Sequence, residues 1–362
     1  MATRDLFDDD HDAFRDTVRR FLAAEVVPHL DEWRTAGRVP SELFASAGAN
    51  GLLGTAVPEE FGGGGVEDLL FSAVLVEETA AAGAIGLALT FAVHAGVCLP
   101  LLLEHGTGEQ HQTWVPGLVS GEHIGAVVAV CRPVAAIGAD HLLLETMVQG
   151  VSGAQYAGVL VTAVEVAGAH RLALISGDAD AVSRTPVSGS LGARDAGQAD
   201  LDLRGELSAT ALLGAGALSQ ARRDLDLWSA VLAVSAARSV LRITLDYVRD
   251  RKVFGRPLVE FENTRRILAE VAAGIEATQL FVDSCLRERG TGTLASARAA
   301  TARLGAAAIH DRAVDQGMQL HGGYGYMREY PISHAFADAR YLRVHDADCS
   351  DALDAVAVGL GI

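Results

Sequence analysis

Arg251-Lys252-Val253-Phe254-Gly255-Arg256-Pro257-Leu258, followed by Phe261-Glu262-Asn263, is the stretch on which the reading of this chain turns. It lies between two long apolar helix patterns and sets cations beside an aromatic ring at a helix–helix corner. Gly255 and Pro257 are expected to stop the first helix there, because neither residue continues a helix readily. Such a corner either only joins helices or offers charge to an anionic ligand.

On its N-terminal side, residues 226–249 read as a long helix that is apolar nearly all round, through Trp228, Val231, Leu232, Val234, Val240, Leu241, Leu245 and Val248. A helix of that kind is buried. Residues 258–287, 295–320 and 348–358 supply three more helical patterns, and four such helices bury one another as a bundle. Before them, from Gly125, short β-branched runs at 126–130, 159–166, 172–175 and 200–203 alternate with Gly and Ser, the signature of a small β region.

The first third is helical again. Phe14, Val18, Phe21, Leu22, Val26 and Val27 recur at helical spacing over residues 8–34, and Pro40-Ser41 opens a second helix with Ser41 as its cap. Residues 69–82 and 85–103 form further helical pieces. The run Gly62 to Gly65 lacks the preceding strand and following Lys-Ser/Thr of a phosphate loop, so it reads as a turn. His94 lies on an apolar face, where a lone histidine is more often a satisfied core residue than a catalyst. The expected domains are a helical one over 1–123, a shortened β one over 124–217 and the bundle over 218–362.

Composition excludes several classes. With 362 residues, half of them hydrophobic, the chain buries a large core. A net charge of −17 argues against a nucleic-acid partner, which would need concentrated Lys and Arg. Apolar runs are interrupted by Gly, polar or charged residues, so no membrane partner is expected. The acidic start lacks the features of a signal peptide, and a cytoplasmic location is expected. Cys98, Cys131, Cys285 and Cys349 are scattered without a metal-ligand spacing.

Helical start, β middle and helical end go with a set of local motifs in order. They are Val57-Pro58-Glu59-Glu60-Phe61-Gly62-Gly63, then His105-Gly106-Thr107-Gly108-Glu109-Gln110, then Ser120-Gly121-Glu122-His123-Ile124-Gly125, then the opening stretch. The most specific is Gln319-Leu320-His321-Gly322-Gly323-Tyr324-Gly325-Tyr326-Met327-Arg328-Glu329-Tyr330-Pro331, followed by Asp338-Ala339-Arg340. Over its whole length the chain resembles the acyl-CoA dehydrogenases. The resemblance implies a mainly α fold with a central β domain: an N-terminal helical domain, a small β-barrel and a C-terminal four-helix bundle. It further implies an FAD site shared between subunits of a dimer or tetramer. Arg251 would reach the pyrophosphate, Phe254 would pack by the cofactor, and Gln319, Gly322 and Gly323 would line the adenosine part from the neighbouring chain. The chemistry agrees, since Arg offers a forked donor to phosphate oxygens and glycines permit close backbone approach.

Departures from the family pattern bear on the reactive end. Where relatives carry Thr-Glu-Pro-Gly-Ala-Gly-Ser-Asp and then a Trp-containing segment at the flavin ring, this chain reads Val130-Cys131-Arg132-Pro133-Val134-Ala135-Ala136-Ile137-Gly138-Ala139-Asp140 and has no Trp in 141–157. The stretch is shorter by roughly twenty residues, several strands' worth. By contrast Leu191-Gly192-Ala193-Arg194-Asp195 keeps the family's Leu-Gly-x-Arg pattern. Asp346 stands where the family's catalytic Glu removes the α-proton of the thioester, and Ala347-Asp348 replaces Gly-Thr. Asp is one methylene shorter, and a misplacement of about 1 Å can cost about a hundredfold. The alternative family position for the base is Leu225, followed by Asp226 where an Arg is usual. His345, Asp346, Asp348 and Cys349 cluster, but their spacing matches no metal set except His345/Cys349, and a metal is not expected.

Three readings follow. The first is an FAD-dependent dehydrogenase of an acyl thioester, carried on CoA or an acyl-carrier protein, with Asp346 as base. The second is a flavin-poor, non-catalytic partner in a hetero-oligomer with a related subunit, so that FAD is bound weakly, shared across the interface or lost. The third is a redox-neutral cyclase or lyase of a biosynthetic pathway using Asp346, His345 or Asp348 as acid/base.

Overall fold

The computed structural model describes residues 4–134, 141–347 and 352–362, and the side chains of 131–134, 141–142 and 344–347 lie outside that description. Seven helices come first: α1 (Asp9–Phe21), α2 (Leu30–Ala36), α3 (Glu42–Ala49), α4 (Leu70–Ala81), α5 (Ile85–Val93), α6 (Leu99–His105) and α7 (Gly108–Ser120). A π-helical turn, His94–Cys98, joins α5 to α6 without a break. His94 is fully buried in it: its Nδ1 accepts from the Gly125 amide at 3.1 Å and its Nε2 donates to the Leu118 carbonyl at 3.1 Å. It is the satisfied core histidine expected from the sequence.

The middle holds β1 (Ile124–Val134), β2 (His141–Val151), β3 (Ala157–Val166), β4 (Ala169–Ser176), β5 (Val182–Pro186) and β6 (Ala199–Ser208). They form two three-stranded sheets, ordered β1-β3-β4 and β2-β6-β5. Ala126, Val128, Leu160 and Ile175 of the first sheet share a core with Leu144, Leu201 and Leu203 of the second. The small barrel of the sequence reading is thus a pair of sheets closed face to face. Strands β2 and β5 are additions to that reading. Alternate residues of β5 are exposed and polar, which leaves no apolar run to detect.

Four long helices follow: α8 (Ala217–Asp250), α9 (Glu262–Gly290), α10 (Ser296–His321) and α11 (Pro331–Ala347), with α12 (Ala352–Leu360) against α10. Helix α8 starts nine residues before the apolar pattern suggests (226 − 217), since its first turns carry the polar run Gln220 to Asp224. Helix α11 is not among the expected helices, and the expected pattern at 348–358 becomes α12. The segments Ile85–His105 and Ala217–Asp250 are each long and apolar enough to cross a membrane, yet 94% and 72% of their apolar windows are buried inside the protein. Their apolar character is that of core helices.

Candidate functional site

The site residues gather at the two ends of α8. At its C-terminal end the helix stops at Asp250, earlier than Gly255 and Pro257 would require, and Arg251 is its extended C-cap. The chain then turns back as a two-stranded hairpin, β7 (Lys252–Val253) and β8 (Arg256–Pro257), pairing Lys252 with Pro257 and Val253 with Arg256. Phe254 and Gly255 make the two-residue loop with φ of 52° and 82°. Positive φ at both positions is the geometry that matches the twist of a tight hairpin. Gly255 adopts it freely, whereas Phe254 is held there with its side chain 94% exposed.

Opposite the hairpin, α10 ends in the turn Gly322–Tyr326. The Tyr247 ring stacks on His321, with centroids 3.9 Å apart, and its hydroxyl donates to the His321 carbonyl at 3.2 Å. His321 in turn donates from Nδ1 to the Gly317 carbonyl at 2.7 Å, and burial lowers its pKa. The Arg251 guanidinium lies 5.3 Å from the centre of the Tyr324 ring. These elements enclose a cavity of about 620 Å³ lined by Tyr247, Arg251, Val253, His321, Gly322 and Gly323 among others.

A side chain at Gly322 or Gly323 would meet nothing within 4 Å, so the backbone there is open to a ligand, and Gly322 also has a positive φ of 59°. A cation facing an accessible glycine backbone suits the phosphates of a dinucleotide. Arg251, Gly322 and Gly323 are therefore brought together. Gln319 is exposed on the last turn of α10, and Phe254 stands at the hairpin tip; neither lines the cavity. Sequence reasoning misses Tyr247 and His321 as site residues, although the spacing of Tyr247 four residues before Arg251 puts both on one face of the helix.

At the other end of α8, Ser219, Arg222, Arg223, Leu225 and Asp226 line a cavity of about 450 Å³ together with Val130, Ser296 and α12. Arg222 donates from Nε and Nη2 to the Val130 carbonyl at 3.0 and 2.9 Å, tying α8 to β1. Asp226 is buried and accepts from Arg303 Nη1 of α10 at 2.8 Å, with Arg303 buried as well. Asp346 lies in the last turn of α11 beside His345; the side chains of both, and the whole of Asp348 and Cys349, lie outside the described residues. So do residues 135–140 of the altered stretch after β1.

The retained stretch at 191–198 joins the three parts of the chain. Asp195 is fully buried and accepts from the Gly86 and Leu87 amides at 3.2 and 2.9 Å, capping α5 from the segment between β5 and β6. Asp338 of α11 accepts from the Ala193 amide at 2.7 Å. Burial, with the Asp195 charge nearby, pushes the Asp338 carboxyl up to about 7.

Known proteins share this architecture. Residues 8–122 match the acyl-CoA dehydrogenase N-terminal domain and residues 227–346 match the C-terminal domain. The mitochondrial long-chain specific acyl-CoA dehydrogenase of Rattus norvegicus is 35% identical over 366 residues, covering 94% of this chain and 84% of the relative. Among solved structures, an acyl-CoA dehydrogenase from Geobacillus kaustophilus is similar at a TM-score of 0.91 and 26% identity, covering 99% of this chain and all of that one. A glutaryl-CoA dehydrogenase from Mycobacterium smegmatis, in complex with FADH2, has the same fold at a TM-score of 0.88 and 20% identity, covering 98% and 95%. The chain belongs to the acyl-CoA dehydrogenase family.

Proposed function

We propose that the chain takes part in α,β-dehydrogenation of an acyl thioester, carried on CoA or a carrier protein, with FAD as cofactor. The observation that carries this reading is the corner at the end of α8, where Arg251, Gly322 and Gly323 face one cavity of about 620 Å³. The glutaryl-CoA dehydrogenase of the same fold is in complex with FADH2. FAD, when bound, supplies the two-electron acceptor for the hydride that leaves the β-carbon.

This chain's own groups do the rest. Arg251 binds the pyrophosphate through its forked donors, and the open backbone at Gly322 and Gly323 lets the cofactor approach. Phe254 and Gln319, both exposed in the single chain, meet the cofactor across the interface of a dimer or tetramer. Asp346, in the last turn of α11, takes the α-proton. The division into domains at 1–123, 124–217 and 218–362 and a cytoplasmic location belong to the same proposal. The test is direct. Purified protein should show a flavin spectrum near one FAD per chain, and Asp346→Asn should abolish α-proton exchange on an acyl thioester; unchanged exchange would sink Asp346 as the base.

A second reading is favoured by the far end of α8. Leu225 cannot act as a base, and Asp226 beside it is engaged by Arg303 inside the fold. A subunit that keeps its pyrophosphate corner while its helix lacks a base fits a partner that lends Arg251 and Gly323 to a related chain's FAD. Protein that is colourless alone and yellow only on co-expression with a related subunit would decide for this reading.

A further inference from the structure

Far from both cavities, the segment before α1 is fastened to three helices by its side chains. Residues 4–8 belong to no helix or strand, so their hold depends on those side chains. Arg4 reaches two helices at once. Its Nε and Nη2 donate to the two carboxylate oxygens of Asp283 on α9 at 2.8 and 2.5 Å, and its Nη1 donates to Glu77 on α4 at 2.7 Å. A guanidinium forked on a carboxylate is the strong form of a charge-assisted contact. Asp5 pairs with Arg287, one turn beyond Asp283 on α9. Leu6 is buried, and the Phe7 ring faces two guanidinium groups, Arg4 at 4.6 Å and Arg15 of α1 at 4.8 Å. Asp8 ends the segment as the N-cap of α1, accepting from the Asp10 and His11 amides at 3.1 Å.

Polar contacts continue on either side of Arg4. Towards α8, Asp283 accepts from Gln279 at 2.9 Å, and Gln279 accepts from Arg238 at 3.3 Å. Towards α1, Arg15 donates to Glu78 at 2.5 Å and to Glu77 at 3.4 Å, and Arg19 holds Glu78 at 2.7 and 3.3 Å. Arg4 is the link between these two halves. Without it, among the described residues, Asp283 would keep only the neutral Gln279, and Glu77 only the long contact from Arg15. The Asp283 and Glu77 side chains are 4% and 8% exposed, so water does not replace the lost cation while the helices stay packed. Burial opposes the Arg4 charge, yet the Glu77 and Asp283 carboxylates outweigh it and raise the Arg4 pKa. Withdrawing Arg4 therefore favours parting of α4 from α9, which lets both carboxylates reach solvent.

We propose that residues 4–8 are a latch that closes α1 and α4 onto the last turns of α9, with Arg4 as its fastening residue, and that α1 and the end of α9 open together when the latch is released. Closure sets one guanidinium between two buried carboxylates, and opening exposes all three charges at once. The opening is a local event, because the contacts that Arg4 joins lie on α1, α4 and α9 and the segment itself carries no ladder or helix bonds. Salt favours the open form, since free ions stabilise the separated charges more than the paired ones. None of these residues lines either cavity described above, so the latch stands apart from the dehydrogenase reading.

Hydrogen exchange read by mass spectrometry on the full-length protein tests the latch. In Arg4→Gln, peptides covering α1 and residues 279–290 should exchange at least about tenfold faster, and by a common factor, because contacts to a charged group are lost. Peptides from α10 and from strands β3 and β4 should keep their rates. Arg4→Lys keeps the charge without the fork and should fall between the two. Added salt should speed the same two regions in the unaltered protein and have less effect in Arg4→Gln. Faster exchange confined to α1, with residues 279–290 unchanged, overturns the proposal. So does a uniform rise that includes α10 and the sheets, which is the mark of lower overall stability alone. If Arg4→Gln does not fold, Asp5→Asn decides the matter, since Asp5 is exposed and its pair with Arg287 is an outer contact of the same segment. A joint rise of about twofold in α1 and residues 279–290 supports the latch, and a rise in one without the other overturns it.

Discussion

The two ends of α8 differ in what their charged groups are used for. At the C-terminal end, Arg251 is exposed, its partners are the rings and glycines of a neighbouring turn, and the stacked Tyr247–His321 pair below it holds that turn in place. At the N-terminal end, Asp224 and Asp226 are buried and held by Arg289 and Arg303 from two other helices. One end therefore keeps a cation available for a ligand, and the other has drawn most of its charges into the framework. Substitutions at Arg251 and at the buried Asp224–Arg289 and Asp226–Arg303 pairs should separate along that line, the first affecting binding and the others stability.

The largest effect is expected at the framework end. Arg303→Leu takes from the buried Asp226 carboxylate its Arg303 partner, and breaking a buried pair from one side costs about 3–5 kcal/mol. Urea denaturation should show that loss. A change below about 1 kcal/mol would break the contrast drawn between the two ends.

The interior also sets the response to pH. Burial lowers His94 and His310 to about 4, so each is neutral in the fold and protonates on unfolding below its ordinary value of 6.5. Stability from these two groups is complete above pH 6.5 and is lost as pH falls towards 4, each group giving up about 1.4 kcal/mol per pH step across that window. Asp338 has the opposite sign: raised to about 7, it favours the fold when protonated, and its contribution falls as pH rises from 3.8 to 7. Asp338→Asn keeps an acceptor for the Ala193 amide without a charge. It should stabilise the protein relative to the unaltered chain at pH 8 and make no difference near pH 4. Denaturant midpoints measured across this range check both signs, and a variant less stable than the unaltered chain at pH 8 would contradict the assignment.

Much of the fold is legible because its signals are local. Apolar residues at helical spacing locate α4, α5, α9 and α10, and the glycine-rich run after Gln319 identifies the corner with its family. Helix α11 escapes that reading, being weakly amphipathic and mixed in composition along its length. The cap that Asp195 provides to α5 joins residues 108 and 109 positions apart, and the Asp226–Arg303 pair spans 77. Neither leaves a trace in sequence spacing. Leu225 is legible as a lost base, but Asp226 is a bare substitution in sequence, and only the fold sets Arg303 beside it. The departure from the family's usual Arg at that position is thus a charge paired inside the fold.

At the corner, Arg251→Gln tests the other half of the contrast. Removing one charge-assisted contact with a phosphate should weaken FAD binding by about ten- to a hundredfold. The same change should leave stability within about 0.5 kcal/mol, as for other surface substitutions. Equilibrium titration of the flavin-free protein measures the first and urea denaturation the second. A large loss of stability with unchanged FAD affinity would place Arg251 in the framework with Asp226.

Phe254 gives the smallest expected effect and the finest division between fold and ligand. Its φ of 52° is left-handed and its ring is 94% exposed, so within the single chain the residue bears strain without burial to offset it. The left-handed region costs a non-glycine residue about 1–2 kcal/mol, and glycine adds about 0.5–1 kcal/mol of unfolded-state entropy. Phe254→Gly should therefore stabilise the isolated fold by about 0.5–1 kcal/mol. If the exposed ring is retained for a cofactor or a neighbouring subunit, the same variant should weaken FAD binding or assembly while it raises the denaturant midpoint. Opposite changes in stability and binding would assign Phe254 to the ligand side of the corner. Parallel losses in both would mean that the ring supports the hairpin itself, and that the corner, like the far end of α8, is part of the framework.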